Sequence, residues 1–140
     1  MFNKVDPEVR LSPDGKHLFA AATLDTSTHS CTFKKLDDKR VNMMVTSFNK
    51  IYDHYRSLGF DEVYLTIIPN PVTIVAPQMG TYNNLIPRIQ NHPDLRMPCI
   101  DIYSVFKKTK EPIFNPSDTH WNYNGFRMWV NEFNKALAKQ

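Results

Sequence analysis

The apolar positions divide the chain into segments of different period. From about Asp37 to Leu58 they fall at Val41, Met44, Val45, Phe48, Ile51, Tyr52, Tyr55 and Leu58. Steps of three and four mark one buried stripe of a helix. Gly59 follows at a C′ position, where glycine commonly ends a helix. Glu62 to Ile68 is β-branched and almost wholly apolar. A strand covered on both faces, as in a parallel sheet, has that character. Pro69-Asn70-Pro71 ends it. Tyr82, Leu85, Ile86 and Ile89 then predict a short helix with Pro87 near its start, and Met97 to Tyr103 predicts a second buried strand. Val105 and Phe106 carry on into a turn or short helix. Phe126, Trp129, Val130, Phe133 and Leu137 share one face of a final helix, which Asn122 or Asn124 can cap.

The segment of about 1–36 reads as irregular. Ser12-Pro13-Asp14-Gly15 is turn chemistry, His17 to Ala22 suits a short strand, and Asp25 to Ser30 is a polar loop. Helix, strand, helix, strand and helix joined by short connections imply right-handed crossovers over a parallel sheet. The expectation is one domain, 1–140, with a three-layer α/β/α architecture and a flavodoxin-like, mostly parallel sheet. In such sheets, sites form at the C-terminal strand ends. Asn70 lies at one such end.

Composition narrows the class. At 140 residues, 41% hydrophobic and 22% charged, the chain suits one globular domain. A net charge of +3, scattered apart from short clusters such as Lys34-Lys35 and Lys107-Lys108, argues against a nucleic-acid partner. No apolar run approaches the ~20 residues of a membrane span. Met1 to Pro7 lacks the apolar core of a signal peptide. Cys31 and Cys99 have no metal-type spacing and read as two reduced thiols.

Candidate chemistry gathers in Asp118-Thr119-His120-Trp121-Asn122, just before the last helix. In an extended loop, side chains two apart project from the same side. A carboxylate there fixes the imidazole tautomer and stabilises the imidazolium, as a general base requires. A capping Asp beside an exposed His has the same spacing, so the pattern alone leaves both readings open. A metal reading needs more ligands, and His17, His29, His54 and His92 form no motif with His120. Neither a metal nor an organic cofactor is expected. Asn70 is a candidate oxyanion donor, or else a turn residue. Trp121 and Tyr123 are candidates to stack on a sugar ring, or else packing residues.

The block Asp118 to Asn122, with Gly125 and a terminal helix, resembles the Asp-x-His-Trp block of SGNH-hydrolase-like proteins, in particular the alginate O-acetyltransferase and DHHW-type branch. Asp14 to Phe19 is similar to the Gly-Lys-x-x-Trp-Leu-Phe segment of that branch, with His17 at or near its usual Trp. Tyr64 to Asn70, Tyr82 to Leu85 and Ile100 to Tyr103 also follow the pattern, so the likeness spans Asp14 to Leu137. Pro71 stands where a Lys often follows Pro-Asn. The resemblance implies a serine esterase or O-acetyltransferase acting on an acyl-ester or polysaccharide substrate. Asp118 would orient His120, and His120 would be the base. It also suggests an extracytoplasmic location.

The serine itself does not carry over. Ser27, in Leu24-Asp25-Thr26-Ser27, is the nearest candidate nucleophile, but lacks the Gly-Asp-Ser context. Three explanations stay open: a fragment without its serine-bearing part, a degenerate carbohydrate-binding or assembly module on the same fold, or a serine reaching the site through unusual topology.

Overall fold

The computed structural model describes residues 6–138; residues 1–5, the start of the irregular segment and of the stretch read for a signal peptide, lie outside them. Among the described residues five α-helices dominate: α1 (Asp38–Ser57), α2 (Val72–Val75), α3 (Leu85–Gln90), α4 (Ile102–Lys108) and α5 (Tyr123–Leu137). The one sheet among the described residues is an antiparallel pair, β1 (Val9–Leu11) with β2 (Leu18–Ala20). The expected flavodoxin-like α/β/α sandwich with a parallel sheet is therefore overturned.

The hairpin forms within the segment expected to be irregular. Val9 pairs with Ala20 and Leu11 with Leu18. The turn closes through the Gly15 N–H donating to the Ser12 carbonyl, and Gly15 takes φ of 71°. The Ser12 hydroxyl, buried, binds the Asp14 carboxylate and accepts the His17 N–H, so the tight connection leaves few groups unpaired.

Residues 62–68 and 97–103 fall where strands were expected, and the reason they fail is local. A single parallel rung joins Leu65 to Cys99, through Leu65 N–H to the Pro98 carbonyl and Ile100 N–H to the Leu65 carbonyl. Pro69, Pro71 and Pro98 have no N–H to extend that ladder. Beyond Ile100, the Asp101 carboxylate accepts the Ser104 N–H and starts α4, which takes Ile102, Tyr103 and Phe106 into helix. The 62–68 segment is partly covered on both sides, with Ile68 43% exposed. Leu65 and Ile67 pack against Val41, Val45 and Ile89 of α1 and α3, while Thr66 accepts a hydrogen bond from the Trp129 indole of α5.

Helix α1 matches the periodicity closely in extent. Asp37 caps it by accepting the Arg40 N–H, and Gly59, at φ of 92°, lets the chain leave in a left-handed conformation. Its stripe is buried only over the first turns: Val41 and Val45 are enclosed, whereas Leu58 is 62% exposed and Phe60, just beyond, 55%. The main core lies under α5. There Ile102, Phe106, Ile113 and Phe114 are buried, with Trp121, Met128 and Trp129 packed on them. Fully burying each such side chain is worth about 1.5–3 kcal/mol. Both cysteines are free thiols, Cys31 buried and Cys99 partly so. No described helix is long and apolar enough to cross a membrane.

Candidate functional site

The Asp–His segment is the tip of a clamped loop. Phe114 and Trp121 face each other in an isolated antiparallel bridge, the Asn122 N–H donates to the Ile113 carbonyl, and the Asn115 N–H to the His120 carbonyl. Trp121 turns inward, packing against Phe106, Phe126 and Trp129 at ring-centroid separations of 6.0–6.3 Å. Backbone alternation then turns its neighbour His120 to solvent. The tip is fastened a second time by the Leu18 N–H donating to the Pro116 carbonyl at 2.7 Å, which ties it to the N-terminal hairpin.

Asn122 joins loop to helix. Its Oδ1 accepts the Asn124 and Gly125 N–H groups at the start of α5, while its Nδ2 donates to the Pro112 carbonyl. Gly125 sits where the two segments touch. A Cβ there would lie 2.6 Å from the Ile113 carbonyl oxygen and 2.9 Å from the Trp121 Cβ.

Within this frame Asp118 and His120 meet. Asp118 Oδ1 accepts the His120 backbone N–H at 2.9 Å and faces Nδ1 of the same imidazole at 2.5 Å. The His120 backbone N–H first, and its ring second, hold the Asp118 carboxyl below the usual carboxylate range. A carboxylate accepting from Nδ1–H leaves the lone pair on Nε2. The His120 side chain is 78% exposed, and no described residue hydrogen-bonds its Nε2.

The other candidates lie elsewhere. Ser27 sits in an Asp25 turn, its N–H on the Asp25 carboxylate and its carbonyl accepting from Lys34 Nζ; no hydrogen bond joins it to His120. Asn70 donates through Nδ2 to Thr32 Oγ1 at 2.8 Å, and its carbonyl accepts from the Thr73 N–H and hydroxyl. These groups line a cavity of about 150 Å³ that contains neither Asp118 nor His120. The strand-end edge expected for Asn70 is absent, along with the parallel sheet, among the described residues. Trp121 is built into the core, and Tyr123 is 75% exposed on the first turn of α5.

The Asn70 cavity was not visible as a unit in the sequence. Its wall combines residues 29–36, 40–44, 67–73 and 82–86, which only tertiary packing brings together. Among the described residues no three His, Cys, Asp or Glu side chains are grouped so as to hold a metal ion. Comparison with protein-family models, with curated proteins and with solved structures finds no match to this chain.

Proposed function

We propose that Asp118 and His120 are the orienting carboxylate and the general base of an acyl-ester hydrolase or carbohydrate O-acetyltransferase. One observation carries the reading: the Asp118 carboxylate holds the imidazole through Nδ1, while Nε2 stays open to a reactant. In such a reaction Nε2 takes the proton of an attacking hydroxyl as its oxygen bonds to the ester carbonyl. Asp118 stabilises the imidazolium, which then returns the proton to the leaving oxygen. The likeness of residues 118–122 to the Asp-x-His-Trp block supports the same roles. Among the described residues no serine hydroxyl is hydrogen-bonded to His120, so the serine attacker stays unassigned.

Hydrolysis of an aryl acetate by the chain tests this directly. His120→Ala is expected to lower kcat/KM by about 100-fold or more, the usual contribution of a general base, and Asp118→Asn to lower it with less effect on KM. Hydrolysis that is unchanged by His120→Ala refutes the assignment. A non-catalytic carbohydrate-binding or assembly module is the second reading. It is favoured by an imidazole to which no described hydroxyl or thiol is hydrogen-bonded and by the exposed Tyr123 ring three positions along the chain. Its mark would be no hydrolysis by the unaltered chain, together with oligosaccharide binding that Tyr123→Ala removes.

A further inference from the structure

The cavity beside Asn70 has an unbalanced lining. Arg40 and Lys34 contribute two cationic side chains, and no Asp or Glu lines the space. Neither cation forms an ion pair among the described residues: Arg40 Nη2 reaches only His29 Nδ1 at 3.3 Å, and Lys34 Nζ reaches only the Ser27 carbonyl at 3.4 Å. Two hydroxyl groups are similarly incomplete. Thr32, 6% exposed, accepts from Asn70 Nδ2. Tyr82 Oη accepts the Ile86 N–H at 3.0 Å. No described acceptor takes either hydroxyl proton; that of Thr32 is buried, where polar hydrogens are normally matched.

Much of the remaining wall is apolar, built from Leu36, Met44, Ile67, Leu85 and Ile86, with Ser30, Thr73 and Asn83 among the polar residues beside it. A cavity of about 150 Å³ suits one molecule with a handful of heavy atoms. Such a molecule must satisfy two demands at once. It needs an anionic, acceptor-rich end for the cations and hydroxyl protons, and an aliphatic remainder for the branched side chains.

We propose that this cavity is a binding site for a small organic anion, a carboxylate carried on a short aliphatic chain. The carboxylate lies against Arg40 and Lys34 and accepts from Thr32 and Tyr82, and the alkyl chain lies along Ile67, Leu85 and Ile86. The site is separate from Asp118–His120 and does not depend on the chemistry assigned there. Phosphate and sulfate satisfy the donors but leave the apolar wall bare. An alkylammonium ion meets two like charges. An alcohol of the same length fills the wall but leaves the cations unneutralised.

Butanoate is the probe. It is titrated into the full chain labelled with nitrogen-15, while the backbone amides are followed by NMR. Saturable shifts are expected at residues 31–34, 67–70 and 82–86, with a Kd on the order of 1 mM for a ligand of this size. Arg40→Gln alters an exposed side chain and is expected to weaken binding about fivefold with an unchanged melting temperature. Lys34→Gln is expected to act in the same direction. Butan-1-ol and butylammonium at the same concentrations should give no saturable shift in these segments. The proposal is overturned by an absence of saturation, by equal binding of the alcohol or the ammonium ion, by unchanged affinity in both variants, or by shifts centred on Asp118–His120 instead.

Discussion

Replacing Gly125 with alanine should destabilise the protein, although helix propensity alone says the opposite. Within a helix, alanine is favoured over glycine by about 1 kcal/mol. At this position the added methyl would lie 2.6 Å from the Ile113 carbonyl oxygen and 2.9 Å from the Trp121 Cβ, both on the backbone side of the clamped loop. Neither neighbour is the flexible end of a side chain. Relief requires α5 and the 113–122 loop to separate, and the same carbonyl accepts the Asn122 N–H at 2.9 Å. Overpacking of this kind costs about 1–3 kcal/mol, and weakening that hydrogen bond costs about 1 kcal/mol more. After the propensity gain is set against them, the net loss is about 2 kcal/mol. For a chain of this length that lowers Tm by roughly 6 °C. Urea denaturation of Gly125→Ala beside Asn131→Ala is the assay. Asn131 is an exposed position on α5, where alanine should raise stability by a few tenths of a kcal/mol. A Gly125→Ala protein as stable as the parent, with the same urea dependence, would refute the close approach of loop and helix.

Asn122→Ala removes the cap on α5 and the tie to Pro112 together, and should cost about 2 kcal/mol in the same urea experiment. The Asp118 carboxyl should titrate, by carbon-13 NMR, below the usual midpoint of about 3.9. Because its folded pKa is depressed, its contribution to stability is present above that midpoint and is lost as pH falls through the folded value; His120→Ala should shift the midpoint upward. Burial pushes the Tyr82 hydroxyl up to about 12, so one tyrosinate transition near that pH should vanish from the ultraviolet titration of Tyr82→Phe. With a raised folded pKa, Tyr82 supports the fold fully below about pH 10 and loses that support as pH climbs towards 12, so raising the pH over that range should cost the parent stability that Tyr82→Phe does not lose.

Long periodic segments were the legible part of the sequence. The α1 stripe spans 20 residues, enough for its period of 3.6 to stand out, and Asp37 and Gly59 mark its ends by side-chain and backbone chemistry. The α5 stripe and its Asn122 cap were legible for the same reason. Short apolar runs were not. Ile100 to Phe106 fits a buried strand or a buried helix equally well by hydrophobicity. What decides it is Asp101, whose carboxylate caps the Ser104 N–H and commits the following residues to helix. The three-residue strand Val9–Leu11 is too short to carry a period at all. The Asp118–His120 hydrogen bond could be read from a spacing of two. The separation of Asn70 from that pair could not, because the expected parallel sheet put Asn70 at a strand end where sites form.

The bond from Leu18 to Pro116 has a consequence for how the molecule comes to be assembled. The hairpin that steadies the Asp118–His120 tip is synthesised before its partner carbonyl, which emerges nearly a hundred positions later. Throughout that interval the hairpin has no tip to hold, and a two-stranded ribbon alone is marginal in water. A shortened chain starting after Ala20 would keep every residue of the acid–base pair and lose one of the two fastenings that aim it. The geometry at one end of this chain is thus a property of the other.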